Sequence, residues 1–312
     1  MKKVLITGGA GFIGSHLIEH LINLGFSVRV IDNLSTGSIN NINKAINQID
    51  FIKEDVANYS KIAEIIEGSD YVVHLAAISS VHFSIEHPLE THKINVDATL
   101  NLLNLSKEVG IKKFIFASSS AVYGKKPEKQ ISERASASPL SPYAVSKLAG
   151  EYYSKIYSDL YGLPTFSLRL FNVYGPRQNP YSEYAAVIPK FIGALLEGKP
   201  PVIFGDGKQT RDFIFVKDVV EIIGNILLSS VEGSLVMNVG TGDKRSVLEV
   251  FDIIREIIDV RVRPIFSPSR KGDIRHSTAN IDSLSRIFGF KVRYSFYEGL
   301  RETIESFRDN NA

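Results

Sequence analysis

Along the first half of the chain, short apolar runs alternate with longer stretches whose apolar residues recur every three or four positions. The runs are Val4–Thr7, Val28–Asp32, Phe51–Ile52, Tyr71–His74, Phe114–Ala117 and Thr165–Leu170. Helical patterns, among them Phe12–Leu24 and Asn58–Glu67, fill the gaps. Strands in regular alternation with helices predict an α/β fold, a parallel sheet wound on both faces, of the nucleotide-binding kind. After Phe171 the rhythm breaks into Gly/Pro/Asn-rich loops such as NVYGPRQNPYSEY and resumes only in part, at Phe213–Val216 and Leu235–Val239. We therefore expect a first domain over 1–170 to which 212–240 return, and a smaller interleaved lobe built from 171–211 and 241–312.

Charge and composition narrow the partners. The 36 basic and 34 acidic side chains leave a net charge of +2 and are interspersed, which gives no nucleic-acid or membrane face and favours a small-molecule ligand. No cysteine occurs in the 312 residues, which excludes disulfides, thiolate zinc sites and thiol nucleophiles. Met1-Lys2-Lys3 leads straight into an apolar run ending at Gly8. That is no secretory signal, and no apolar stretch approaches the roughly 20 residues of a membrane span. A cytoplasmic protein is expected.

The stretch TGGAGFIG, Thr7 to Gly14, closes the first strand and opens the first helix. Its glycines let the backbone turn tightly and approach a pyrophosphate at the helix N-terminus. Asp32 ends the second strand, where a carboxylate can accept both hydroxyls of an adenosine ribose, and Asn33-Leu34 offers no arginine for a 2′-phosphate. The pair predicts NAD over NADP. On the same helix His16-Leu-Ile-Glu-His20 fits the HxxEH zinc pattern. A catalytic zinc there needs a third ligand and an open face, on a helix whose start is already given to a cofactor. Ordinary helix histidines, and no metal, are the expectation.

Tyr143 and Lys147, in SPYAVSK, stand one helical turn apart on a helix beginning near Pro142, so the ammonium lies close to the phenol. Making that phenol a base near neutrality requires a shift of roughly 3 units, about 4 kcal/mol in favour of the phenolate. Lys147 and a cationic nicotinamide can supply it. Residues 118 to 124, SSSAVYG, follow the fifth apolar run and place three hydroxyls where a strand surfaces, with no acid beside them. Strand-end capping accounts for Ser118.

Together these stretches resemble the extended short-chain dehydrogenase/reductases and, within them, the UDP-hexose 4-epimerases. The likeness covers nearly the whole chain: TGGAGFIGSH, VIDNLSTG, EDV, HLAA, the asparagine of KINVDATLNLL, SSSAVYG, SPYAVSK, RLFNVYGPRQ, YAAVIPKF, GDGKQTRDFIFVKDV, NVGTG and RKGDIRHSTAN. Ala98 departs, standing where the family often has glycine. The resemblance implies a Rossmann domain holding NAD and a C-terminal lobe closing on a nucleotide sugar. It puts cofactor contacts on Gly8, Gly11, Phe12, Ile13, Asp32, Asn33, Asp55, Val56, Leu75, Ala76, Ala77, Tyr143 and Lys147. The catalytic set falls on Ser119, Tyr143 and Lys147, with Ser120 at the substrate. Asn172, Val187, Phe191, Phe204, Arg211, Arg270 and Asp273 would grip the uridine diphosphate. Arg211 beside Asp212 also reads as a structural ion pair, and Phe204 as a core residue.

Related 4,6-dehydratases carry Asp and Glu after the catalytic hydroxyl, to remove the C5 proton and help expel the C6 hydroxyl. Here those positions are Ser120 and Ala121, so the chemistry should stop at oxidation and reduction at C4. Ser277 falls where a bulky residue restricts family members to plain hexoses and a small one admits 2-acetamido sugars; YAAVIPKF points to the acetamido branch as well. The expected activity is NAD-dependent 4-epimerisation of UDP-Glc/UDP-Gal and UDP-GlcNAc/UDP-GalNAc. Another nucleotide-sugar reductase, decarboxylase or uronate epimerase stays open, as does a non-catalytic NAD-sensing module. Two long helices, within Ser84–Val109 and Tyr143–Tyr161, suggest the family's homodimer.

Overall fold

A computed structural model describes residues 1–126, 130–180, 185–269 and 274–309. In chain order the first-half strands are β1 (Lys3–Thr7), β2 (Ser27–Ile31), β3 (Ile49–Ile52), β4 (Tyr71–His74), β5 (Lys113–Ser119) and β6 (Thr165–Leu170). The helices among them are α1 (Phe12–Asn23), α2 (Tyr59–Ile66), α3 (Val81–Glu86), α4 (Pro88–His92), α5 (Ala98–Val109) and α6 (Pro142–Tyr161). The second half adds β7 (Asn172–Tyr174), α7 (Val187–Leu196), β8 (Val202–Phe204), β9 (Thr210–Arg211), β10 (Phe213–Phe215), α8 (Val216–Leu228) and β11 (Ser234–Val239). It ends with β12 (Arg245–Ser246), α9 (Val247–Ile258), β13 (Ile265–Ser267), β14 (His276–Ser277), α10 (Asp282–Phe288) and α11 (Phe296–Asp309).

Seven strands form one parallel sheet in the order β11-β6-β5-β4-β1-β2-β3. Its two faces explain the continuous apolar runs. Val4, Ile6 and Ile115 enter the core shared with α1 and α8, whereas Leu5, Phe114 and Phe116 enter the one shared with α2, α5 and α6. Successive side chains of a strand point to opposite faces, so burial of both faces removes the polar alternation.

A third core binds the other lobe, with Ile188 and Phe191 of α7, Phe251 and Ile254 of α9, and Leu300 and Ile304 of α11 packed on Phe215 of β10. The apolar run Phe213–Val216 divides: β10 stops at Phe215 and pairs with β7 outside the large sheet, and Val216 opens α8. The order in which strands are added reverses between β1 and β4, and the helices that follow them, α1 and α5, lie on opposite faces of the sheet. The carboxyl ends of the two strands therefore part and leave the crevice in which such folds bind ligands.

Candidate active site

Gly8 turns out of β1 with φ of +72°. A Cβ on it would lie 2.7 Å from the Ala76 amide nitrogen, and one on Gly14 would lie 2.4 Å from the Gly8 carbonyl oxygen. Only bare backbone passes there. Gly11 caps α1 with no side-chain bond, so among the described residues the first-turn N–H groups of Phe12 and Ile13 have no side-chain partner and suit an anion. Asp32 follows β2; its Oδ2 accepts the Ala10 N–H at 2.9 Å and its Oδ1 the Leu34 N–H at 2.8 Å. Asn33 Nδ2 donates to Asp55 Oδ2 at 2.9 Å, which ties the loop after β2 to the one after β3, where Val56 is buried. Leu75 and Ala76 donate to the Thr7 carbonyl and hydroxyl at 3.1 and 3.3 Å, bringing the segment Leu75, Ala76, Ala77 beside the glycine turn.

Beneath that turn, hydrogen bonds fix the tautomer of His74. The Thr99 hydroxyl donates to the Asn95 carbonyl at 2.7 Å, so His74 Nε2 must donate to Thr99 Oγ1, 2.9 Å away. Nδ1 then accepts from the Thr7 hydroxyl at 2.7 Å. Burial, with the Lys147 charge adding to it, pulls His74 down to about 3, and the ring is a neutral strut.

Ser119 ends β5 and caps the 3₁₀ turn Ser120–Tyr123 by accepting the Ala121 N–H at 3.2 Å. Its hydroxyl lies near enough to the Tyr143 phenol to favour the ionised form. Ser120 opens the turn half-buried, and neither it nor Ala121 brings an acid. Tyr143 and Lys147 share a face of α6, with Nζ 5.9 Å from the phenol ring centre. Nζ donates to the Ala117 carbonyl at 2.8 Å and lies over Phe116. Burial pushes the phenol up, against the opposing influence of the Ser119 hydroxyl, and pulls the Lys147 ammonium down to about 7.

Ser118 differs from the expectation. It caps nothing; its hydroxyl donates to Glu151 Oε1 in the interior. Glu151, one turn beyond Lys147, also accepts from Arg169 Nε at 2.9 Å and Nη2 at 2.7 Å. The guanidinium stacks 4.7 Å from the Tyr123 ring, whose hydroxyl donates to Asn238 Oδ1 at 2.6 Å. Side chains of β5, α6, β6 and β11 are thereby locked together directly behind Ser119. Arg169, the one charge in the apolar run TFSLRL, is the signal of this lock that the sequence carries.

In the second lobe, Asn172, Val187, Phe191, Phe204 and Arg211 line one cavity of about 480 Å³, to which α3 contributes Val81. Phe191 is nearly fully buried and Phe204 half-buried. Asp212 does not pair with Arg211: its carboxylate accepts N–H groups of Thr241, Gly242 and Ala279 at 2.8 to 3.0 Å and the Thr241 hydroxyl at 2.7 Å. Ser277 is buried on β14, in register with Arg211, and does not line this cavity. Arg270, Asp273 and Tyr184 lie outside the described residues. In the HxxEH segment His16 Nε2 lies 3.0 Å from the Pro176 carbonyl and burial takes its pKa down to about 4. Glu19 pairs with Arg177 at 2.5 Å. Among the described residues no group of three or more His, Asp or Glu could hold a metal ion, and no helix is long and apolar enough to cross a membrane.

A parallel sheet with a glycine cradle at its switch point, and Ser119, Tyr143 and Lys147 converging beside it, is the build of an extended short-chain dehydrogenase/reductase. Residues 4–240 match the NAD dependent epimerase/dehydratase family, and the chain belongs to it. It is 43% identical to the UDP-N-acetylglucosamine 4-epimerase from Methanobrevibacter ruminantium M1, solved in complex with UDP-N-acetylmuramic acid, with a TM-score of 0.95 and 99% of both chains covered. It is 36% identical over 99% of both chains to the UDP-glucose 4-epimerase of Mycolicibacterium smegmatis. The UDP-N-acetyl-alpha-D-glucosaminuronate decarboxylase of Bacillus cytotoxicus is likewise 36% identical, over 99% of this chain and 98% of its own.

Proposed function

We propose that the protein interconverts UDP-hexoses at C4 with bound NAD, through a transient 4-keto sugar. The observation that carries this reading is Ser119 beside the Tyr143 phenol, with Lys147 one turn on and no acid at Ser120 or Ala121. A cradle that a Cβ at Gly8 or Gly14 would fill, an uncapped helix start and the Asp32 carboxylate after β2 fit a dinucleotide. When bound, its nicotinamide supplies a hydride acceptor and donor. Gly8, Gly11, Phe12 and Ile13 would hold the pyrophosphate, Asp32 the ribose, and Asn33, Asp55 and Val56 the adenine side. Leu75, Ala76 and Ala77 would border the nicotinamide.

Tyr143, as phenolate, takes the proton of the 4-hydroxyl directly or through Ser119, and returns it after the keto sugar has turned its other face. Burial alone opposes that state. The Ser119 hydroxyl and the Lys147 ammonium must outweigh it. Lys147, held at about 7 when its partner is neutral, is drawn back to the charged form by a phenolate beside it, so the two titrate as a coupled pair. Arg211, with Arg270, pairs with the diphosphate, while Asn172, Val187, Phe191, Phe204 and Asp273 seat the nucleotide. The sugar is left free to rotate.

The small side chain of Ser277 and the 43% identical UDP-N-acetylglucosamine 4-epimerase support acceptance of 2-acetamido sugars beside UDP-glucose and UDP-galactose. A uronate substrate is the second reading, favoured by the decarboxylase relative. Exposed Val145, Tyr152, Ile156 and Leu160 recur along one face of α6, and Ile85 and Leu89 are exposed on α3 and α4, which pack on α6; these support a homodimer. The test is incubation with UDP-glucose, UDP-GlcNAc or UDP-glucuronate without added NAD, with products resolved by NMR. C4 epimers of the first two are expected. Consumption of free cofactor or a stable 4-keto product rejects the epimerase, and turnover of the uronate alone moves the assignment to the second reading.

A further inference from the structure

We propose that Ser84 is a positioning residue for Tyr143, joining the wall of the nucleotide-sugar cavity to the base that works beside it. The inference rests on Tyr143 acting as base in the function proposed above.

The first turn of a helix leaves N–H groups without intrahelical partners. In α6 these are accounted for one by one. Pro142 has no N–H, and Ala144 donates to the capping hydroxyl of Ser141 at 3.2 Å. The Tyr143 N–H instead crosses to Ser84 Oγ, 3.1 Å away and 59 residues distant in sequence. Ser84 is fully buried, and its own proton goes to the Val81 carbonyl at 2.6 Å. Val81 opens α3, is half exposed, and lines the same cavity as Asn172, Phe204 and Arg211. A hydrogen-bonded relay thus runs from the cavity wall to the peptide that carries the phenol.

The carbonyl of Tyr143 is held from the same side. It accepts from Ser146 Oγ at 2.8 Å, and Ser146 Oγ accepts from Asn95 Nδ2 at 3.0 Å. Asn95 also closes two bonds with the main chain of Ile78, at 2.8 and 2.9 Å. It sits in a π-helical turn, Lys93–Asp97, that interrupts the helix between α4 and α5, a widening frequent at functional sites. Both polar groups of the Tyr143 peptide are therefore tied to the two ends of Ile78–Val81, the segment that continues Leu75, Ala76 and Ala77 into the cavity. A ligand pressing on Val81 moves α3, and Ser84 carries that displacement to Tyr143. Misplacement of a reacting group by about 1 Å can cost about a hundredfold in rate.

The test compares purified holoenzyme with its Ser84→Ala and Ser84→Thr variants, converting UDP-glucose across a range of pH. Ser84→Ala should lower kcat roughly 10- to 100-fold with KM little changed. It should also move the acidic limb of the kcat profile to higher pH, because a displaced phenol loses its Ser119 and Lys147 contacts. Ser84→Thr keeps an oxygen able to reach the carbonyl a turn back, as Thr91 does to His87 at 2.9 Å, and should recover most of kcat. A Ser84→Ala enzyme with wild-type kcat overturns the proposal; so does a lower kcat with an unmoved limb, which would make Ser84 a packing residue. If Ser84→Ala does not fold, Ser84→Cys, close in volume and a weak acceptor, takes the same measurements. If the wild type turns over no UDP-hexose, the proposed function has failed by itself. Ser84 is then judged by ultraviolet difference titration of the Tyr143 phenol, assigned with Tyr143→Phe. An alkaline shift in Ser84→Ala supports the relay, and an unchanged titration overturns it.

Discussion

Replacing Arg169 with methionine isolates the lock behind Ser119. The guanidinium meets Glu151 through two bonds of 2.9 and 2.7 Å, and the two side chains are only 8% and 4% exposed. Methionine keeps the bulk of the stem over Tyr123 but leaves the carboxylate in the interior with the Ser118 hydroxyl as its remaining side-chain donor. Breaking one side of such a buried pair costs about 3–5 kcal/mol, most of it the stranded charge, whereas an apolar pair of similar volume is nearly neutral. Arg169→Met alone should therefore lose about 3–5 kcal/mol, while Arg169→Met with Glu151→Leu should recover at least half of it. Urea unfolding, with the slopes required to agree among variants, measures both. Turnover should fall with the single change, because Ser118 adjoins Ser119 on β5. A single variant within about 1 kcal/mol of wild type, or a double variant as unstable as the sum of the singles, would refute the reasoning.

Tyr143→Phe should retain NAD yet lose at least about a hundredfold in turnover, the scale of a general base; near-normal NMR-monitored conversion would move the base elsewhere. Asp32→Ala should weaken NAD more than UDP-sugar in calorimetric titrations, and equal losses would mean a folding defect. Ser277→Tyr should abolish conversion of UDP-GlcNAc while sparing UDP-glucose, as the role proposed for Ser277 in admitting the acetamido group requires. Loss of both substrates alike would sink the reading of Ser277 as the position that admits the acetamido group. Ile156→Arg combined with Leu160→Arg should turn a sedimenting dimer into a monomer, and a wild type that is already monomeric at micromolar concentration contradicts the homodimer.

Features that depend on near neighbours along the chain are legible in the sequence. The glycines between Thr7 and Gly14 answer to backbone clearance within one turn, and the Tyr143–Lys147 spacing is one turn of α6. The apolar runs announce buried strands because the inner strands β1, β4 and β5 bury both faces, whichever strand lies beside them. Phe213–Val216 shows the limit: the same pattern serves a strand that pairs with β7 outside the large sheet, and its last residue begins a helix. Periodicity reports how a segment is covered and is silent about its partner.

The serines of residues 118 to 120 mark the same boundary. By itself the sequence determined that hydroxyls surface at the end of β5 with no acid beside them. Tertiary structure alone decided which hydroxyl does what: Ser118 turns inward to Glu151, and Ser119 both caps the 3₁₀ turn and meets Tyr143. Arg169 and Glu151 are 18 residues apart, and Ser84 and Tyr143 are 59. A hydrogen bond requires its partners within about 3 Å in a narrow range of angles. Across such separations that condition depends on every intervening dihedral, and the packed sheet and helices set those together.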